Sequence, residues 1–545
     1  MKKLIILASA ALTLPGFISA QSAIDVNNIS TGELRGTARF MSMAGAFTAL
    51  GGDLSSLNQN PAGIGVYRGS DIGLTFDINM MNSKTSGIGA PYTRSQTHAD
   101  MNNFGYVGTF RLGGASDATF SWGASYSRTA SFERQYSGGE LAMQTSLSNY
   151  ITTFTDGIST KYLDFAEGYN PYKDRSQNAA PWLSVLAYTS GMITPVVEYG
   201  TDDKPHETDI YDGLWQYPVD GNGNIRPTSG SAAMKVREQG YTDEYSINFG
   251  GSVANVFYWG IGLGITDLSL TQTSFYSEDL THANVPANAA YGIEEGSGYF
   301  GIQNWRHTSG TGFNAKFGVI LKPVNELRIG LAVHTPTYWS VTTNYSADTY
   351  FDYSSGVKGD EYTDEASYSW KLNSPWKLTT GVAAVVGGRG ILSLDYEYQA
   401  FSDMKVNDWY YADDYNNDIK TYFKSSHMIR LGGEFRVTPQ FSLRAGYAYQ
   451  TSNARDDVKN SNVEVVTVGT NPAYTLGSDT QYGTFGLGYR ISGFYVDAAY
   501  VYKHRTSTYH AFTSFKDFDG YWYDAPSAKI TDNNSQLVFT VGYKF

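Results

Sequence analysis

The side chains able to do covalent or metal chemistry are dispersed along the chain. Histidines stand at 98, 206, 282, 307, 334, 427, 504 and 510, and no HExxH, GxSxG or metal-ligand spacing joins any of them to a second reactive group. His334 lies in the run HTPT at a strand parity, so it reads as a hydrogen-bonded wall residue and not as a base. Ser55 and Ser56 have no base close in sequence. Zero cysteines exclude a disulfide framework and a thiolate metal site. Catalysis, a metal and a cofactor are therefore not expected. A formal charge of -13 without a basic patch argues against nucleic acid as a partner.

Opposed charges on alternating segments point to different chemistry, that of a polar interior. In ILSLDYEYQ, Leu392, Leu394, Tyr396 and Tyr398 alternate with Ser393, Asp395, Glu397 and Gln399. Arg430 and Glu434 have the matching parity on a neighbouring segment. FSLRAGYAY at 441–449 and QLVFTVGYKF at 536–545 repeat the two-residue period. A soluble sandwich buries its apolar face dry. Here the polar face carries charges of both signs and many glycines, which suits a watery lumen behind a lipid-facing wall.

The elements that must hold these rows are legible from end to end. MKKLIILASAALTLPGFISA has the basic start, apolar centre and small residue at Ala20 of a secretory signal peptide, so 1–20 is expected to be removed and the chain exported. Beyond it no run of 18 or more apolar residues occurs. Tyr alone numbers 43, and aromatics make up 15% of the chain. Alternating strands are expected at 70–82, 101–112, 118–136, 230–252, 256–272, 297–321, 327–347, 361–386, 391–401, 425–437, 441–452, 479–490, 494–506 and 534–545. Every second connection, such as GGASD, VAN, KPVNE and GGRG, is short, and segments including 137–229, 273–296, 402–424, 453–478 and 507–533 are long and polar. That alternation fits an all-β, 14-stranded antiparallel transmembrane β-barrel in an outer membrane, with short periplasmic turns, long extracellular loops and both termini on the periplasmic side. Such a barrel closes its own sheet, so a monomer surrounded by outer-membrane lipids is expected.

A wide barrel leaks unless something fills it. Residues 36–57 have a plug's composition: Met41, Met43, Ala44, Ala46, Phe47, Ala49 and Leu50 are small or adaptable, and Gly45, Gly51 and Gly52 permit close approach. A helix is expected over 41–50, ending at Gly51-Gly52, and a second short turn from Ser55 to Asn58 ends at Pro61. Three domains follow: signal peptide 1–20, N-terminal hatch 21–65, and barrel 66–545 with the extracellular insertion 137–229.

The segment RFMSMAGAFTALGGDLSSLNQNPAGIGVY resembles the N-terminal signature of the FadL/TodX family of outer-membrane transporters for long-chain fatty acids and other hydrophobic compounds. LRIGLAVHTPTYW at 327–339, LNSPWKLTTGVAAVVGGRGILSLDYEY at 372–398 and GGEFRVTPQFSLRAGYAY at 432–449 extend the resemblance over almost the whole mature chain. The insertion 137–229 departs from the family pattern. The resemblance implies a luminal hatch whose turn Asn60-Pro61-Ala62 meets an inward kink in the third strand beside a lateral opening, with Gly123 the weak point of that strand and Phe47 inside the hatch. It implies passive capture of a hydrophobic small molecule or lipid at the outer loops, movement past the hatch and exit sideways into the bilayer. Leu147, Tyr150, Phe154 and Trp182 in the insertion are candidate capture residues, equally readable as cap packing. Arg111, Lys316 and Arg328 are candidate cations for a carboxylate head group. Two alternatives accompany the family: a haem-binding receptor, which would draw on His206, His282 or His510, and a surface adaptor in protein secretion.

Overall fold

The computed structural model describes residues 22–87, 91–112, 118–176, 178–199, 205–217, 226–288, 292–407, 412–467, 469–516 and 520–545. The expected signal peptide 1–20 and the GGASD turn at 113–117 lie outside them.

Period-two alternation does produce the wall. Its strands are β1 (Asp71–Ser86), β2 (Tyr92–Leu112), β3 (Ala118–Ser131, continued by Arg134–Leu141), β4 (Ser229–Val253), β5 (Phe257–Pro286) and β6 (Ile293–Val324). They continue with β7 (Leu327–His334, then Tyr338–Tyr353), β8 (Ala366–Asn373, then Lys377–Val386), β9 (Gly390–Gln399) and β10 (Ser426–Arg436). β11 (Phe441–Gln450), β12 (Tyr474–Ile491), β13 (Phe494–His510) and β14 (Ser527–Lys544) complete it. Each pairs antiparallel with the next, and β14 returns to β1 from Asp71↔Lys544 to Ser86↔Lys529, which closes a 14-stranded barrel. The outward rows are apolar on every side, for example Phe76, Phe104, Phe249, Ile265, Phe317, Leu331, Leu394, Leu431, Phe485 and Phe539, all exposed. Only a hydrocarbon surrounding makes such a continuous exposed belt stable. No helix among the described residues is long and apolar enough to cross a membrane.

Two expectations about lengths are corrected. The segment 273–296, expected as a loop, belongs largely to β5 and β6, which run for 30 and 32 residues, against the roughly 9–11 that cross a bilayer. Inward residues Tyr276, Leu280, Val285, Phe300 and Ile302 pack into the cap and hold the ladder together above the membrane. The third strand is interrupted at Phe132–Glu133 where a continuous strand 118–136 was expected.

The insertion builds the cap. Helices α4 (Leu147–Thr155) and α5 (Trp182–Thr189), with a hairpin of Ile193–Tyr199 and Pro205–Gly213, share one apolar core with the upper wall. Ser146 caps α4 through its hydroxyl. The N-terminal segment runs down the lumen: α1 (Ala23–Ser30) packs with the outer connections at Tyr415, Ile419 and Val458, and α2 (Ala38–Ser42) and α3 (Ser56–Gln59) follow inside the wall. The helix expected over 41–50 stops at Ser42, because Ala44 (φ 51) and Gly45 (φ 72) adopt left-handed backbone; the chain to Leu50 is a series of turns. This segment fits the wall through glycines. A side chain at Gly260, Gly330, Gly432, Gly446 or Gly486 would run into the backbone or Cβ of Pro61, Thr48, Met43, Ala44 or Ser42 respectively.

Candidate functional site

The hatch is bound to the barrel by polar contacts as well as by close packing. Asp395 of β9 accepts the Thr48 N–H at 2.8 Å and the Gln59 amide at 3.2 Å. His334 faces the lumen as expected and lies 2.9 Å from the Gln59 carbonyl through Nε2. Arg39 donates to Glu434 at 2.9 Å, and Glu434 also accepts from Arg444, which bonds Asp497 at 2.6 Å. Arg430 pairs with Glu397 at 2.7 Å. Of the opposed charges that marked a polar lumen, Arg430, Glu397 and Glu434 are thus paired within it, and Asp395 is held by the hatch instead. Phe47 is buried against Phe40, with ring centroids 5.4 Å apart, and lies beneath the Arg39 guanidinium.

Asn60 is fully buried and closes its own turn. Its Oδ1 accepts the Ala62 N–H at 3.0 Å, and its Nδ2 donates to the Thr48 carbonyl at 2.6 Å. The turn rests on β5 and β6, at Gly260 and Gly318, and Ala62 packs with Tyr258 and Ile320. This differs from the contact with the third strand that the resemblance implies: Pro61 holds the chain against the two glycine-bearing strands, and only Ile64 further on reaches Gly123. At Gly123 the wall is unbroken, paired to Val107 on one side and Asn248 on the other.

The irregularity of β3 lies higher. Its ladder with β2 stops at Asn103↔Ser127, and its register with β4 shifts between Arg128 and Ala130. Above that point β2 and β3 are joined by side chains: Gln96 to Glu133 at 2.5 Å, Arg94 to Ser137 at 2.9 Å and Arg128 to Asp100. The shifted backbone is held from inside the lumen. Glu33 donates its N–H to the Thr129 carbonyl at 3.0 Å, and its carboxylate accepts the Ser131 N–H at 3.3 Å. Burial raises the Glu33 pKa, but Lys503 and Arg35 more than offset this and hold the carboxyl well below the usual range. Arg35 reaches Asn102 at 2.9 Å and Asp77 at 3.5 Å, tying the same segment to β1 and β2.

A cavity of about 190 Å³ opens directly on this kink. It is bounded below by α1 and the 31–33 segment, on one side by Ala130, Phe132 and Tyr136 of β3, and on the other by β11, β12 and their connection. None of Leu147, Tyr150, Phe154, Trp182, Arg111, Lys316 and Arg328 lines it. Leu147, Tyr150 and Trp182 are buried in the cap core and Phe154 packs on it, with Tyr150 stacked on Phe512 at 5.5 Å. Lys316 is buried against Glu244, and Arg328 donates to the Leu50 carbonyl at 2.7 Å, so both cations hold structure. Arg111 is exposed at the short-turn end of β2. His206, His282 and His510 are also away from the cavity lining. Among the described residues no cluster of three or more His, Asp or Glu is placed to hold a metal. Sequence reasoning missed Glu33, Arg35, Ala130 and Arg134; the lapse of alternation in SFERQY at 131–136 was the available signal.

Superposed on solved structures, the barrel matches a Pseudomonas aeruginosa FadL homologue over 94% of this chain and 100% of that chain, with a TM-score of 0.51 at 14% identity. The chain has the FadL-type barrel fold. The Pseudomonas putida toluene transporter TodX follows at 12% identity and TM-score 0.47 (94% and 99% coverage), and the Ralstonia pickettii toluene transporter TbuX at 13% and 0.42 (94% and 99%). No family model matches the sequence, and no curated protein matches it significantly. A FadL-type barrel with this continuous apolar belt has its place in the bacterial outer membrane.

Proposed function

We propose that this FadL-type barrel carries hydrophobic compounds, including long-chain fatty acids, passively across the outer membrane and releases them sideways into the bilayer. The observation that supports this reading most is the unladdered β2–β3 seam beside the cavity, starting one residue from the lipid-facing Phe104. An apolar chain loses about 0.8 kcal/mol per CH₂ on entering water, so a route ending in lipid is favoured over one ending in the periplasm. The hatch blocks the straight path, and Asn60-Pro61-Ala62 braces it against β5 and β6, three strands round the wall from the exit. Ala130 to Phe132 form the inner edge of that exit, and Gly123 with Ile64 its floor. No energy source is required, since the gradient and downstream removal drive net movement. The barrel works as a monomer.

Cysteines introduced at Gln96 and Glu133, which already touch, would lock the seam. Oleate uptake into proteoliposomes is expected to fall at least tenfold on oxidation and to recover on reduction. Undiminished uptake by the oxidised protein would rule out this exit.

A further inference from the structure

The cavity lining is unlike that of a site for a bare hydrocarbon or a simple anion. Of its lining residues, eighteen are Ser, Thr, Asn or Gln, four are Tyr and seven are charged, against seven that are aliphatic or phenylalanine. Each of its cations already faces a carboxylate, although the buried Nε–H groups of Arg134 and Arg505 keep no acceptor of their own. Arg306 pairs with Asp25 at 2.7 Å, Lys503 with Glu33, and Arg134 and Arg505 share Asp532 at 2.7 and 3.6 Å, with Glu238 within electrostatic reach of Arg134. An incoming carboxylate would find no unneutralised cation and would add a buried negative charge beside Asp25, Glu33 and Asp532, whereas the open Nε–H groups suit a neutral acceptor such as an ester or hydroxyl oxygen. An alkane would leave hydroxyls and amides without partners, a penalty it cannot offset.

The aliphatic and phenylalanine lining is nevertheless concentrated on one side, interspersed there with Ser131, Arg134, Glu238 and Gln272. Ala130, Phe132 and Tyr136 of β3, Val236 of β4 and Leu270 of β5 supply apolar surface beside the seam. Ser426, Gln450, Thr451, Thr467, Ser478 and Thr480 supply hydroxyls and an amide on the far side, at β10 to β12 and their connections. Tyr474 and Tyr482 add rings there, flat faces suited to a hydroxylated ring or glycerol edge. We propose that the cavity binds an uncharged, hydroxyl-bearing amphiphile of the acylglycerol or alkyl-glycoside class, its head among the β10–β12 hydroxyls and its chain towards the β3 kink. This rests on the transport reading above and names, among the hydrophobic compounds it admits, the class this cavity holds best.

Equilibrium binding of labelled 1-monolauroylglycerol and laurate at pH 8 to the full barrel in nanodiscs, corrected for empty discs, tests it at constant chain length. The glyceride is expected to bind at least tenfold more tightly, and Gln450→Leu with Thr467→Val should bring the two within about threefold. Equal or tighter laurate binding, or a preference untouched by the double variant, overturns the assignment. Laurate uptake by proteoliposomes of the same preparation keeps the two readings apart: uptake without a glyceride preference sinks this inference alone, whereas no uptake of either compound sinks the transport reading.

Discussion

Asn60 carries three jobs on one amide: it closes its own turn, ties that turn to Thr48, and fills the space left by Gly318. Asn60→Ala removes two buried hydrogen bonds, expected to cost about 1–3 kcal/mol of hatch stability; protease access to the hatch in intact liposomes should rise while heat-modifiable gel mobility stays that of a folded barrel. Glu33 works at the other side of the plug. Replacing it by Gln leaves Lys503 and Arg35 facing each other without their shared carboxylate, so the β3 kink should loosen and oleate uptake rise several-fold. The sign with pH follows from the depressed carboxyl. Its stabilising contribution is present above the unfolded value near pH 4 and is lost only as pH falls through the lower folded value. Parent uptake is therefore expected to be flat between pH 5 and 9, and a midpoint inside that range would refute the Glu33 brace. At this scale the sequence showed which residues were unusual but not their neighbours. Asn60 stood out as a turn former, whereas Gly318 and Gly260, against which its turn rests, are far away along the chain.

Strands proved the most readable elements, because a residue facing lipid and the next facing water must differ, and that difference repeats every two positions. All fourteen expected strands have counterparts in the wall. The helix expected over 41–50 was misread for the opposite reason. Plug residues are chosen to fit wall glycines, so Ala44 and Gly45 obey the wall and not the helical period. The kink in β3 was likewise misplaced at Gly123, since a glycine weakens a strand in isolation but here is covered by Ile64. In the outer connections, burial raises Asp156 after α4 of the cap and Asp418 in α6 (Ala412–Tyr422), which packs on α1, each to about 6. A folded-state carboxyl with a raised pKa stabilises its element most when protonated, so both helices should be firmest below the unfolded value near pH 4 and loosen progressively as pH rises through 6. Amide hydrogen exchange in α4 and α6, corrected for intrinsic rates, is expected to be slower at pH 5 than at pH 7, with Asp156→Asn flattening the α4 profile; identical protection at both values would show that neither carboxyl matters to its helix.

At the scale of the whole molecule, wall and plug make separable contributions. The lipid belt and the closed ladder do not depend on the hatch, so deleting 22–57 should leave a folded, heat-modifiable barrel with a measurable ionic conductance in planar bilayers; an electrically silent deletion would mean that the cap alone seals the lumen. The fit of the hatch backbone against glycines on strands from β5 to β12 bears on history as well as on permeability. A plug touching that much of the circumference at backbone distance cannot be threaded into a finished cylinder, and it directly precedes β1, one partner in the closing β1–β14 pair. The last seam must therefore shut around a plug already in place, which makes residues 22–66 a mandrel on which the cylinder is wound. The deletion variant, though stable once formed, should close its seam more slowly than the parent in time-resolved refolding into vesicles.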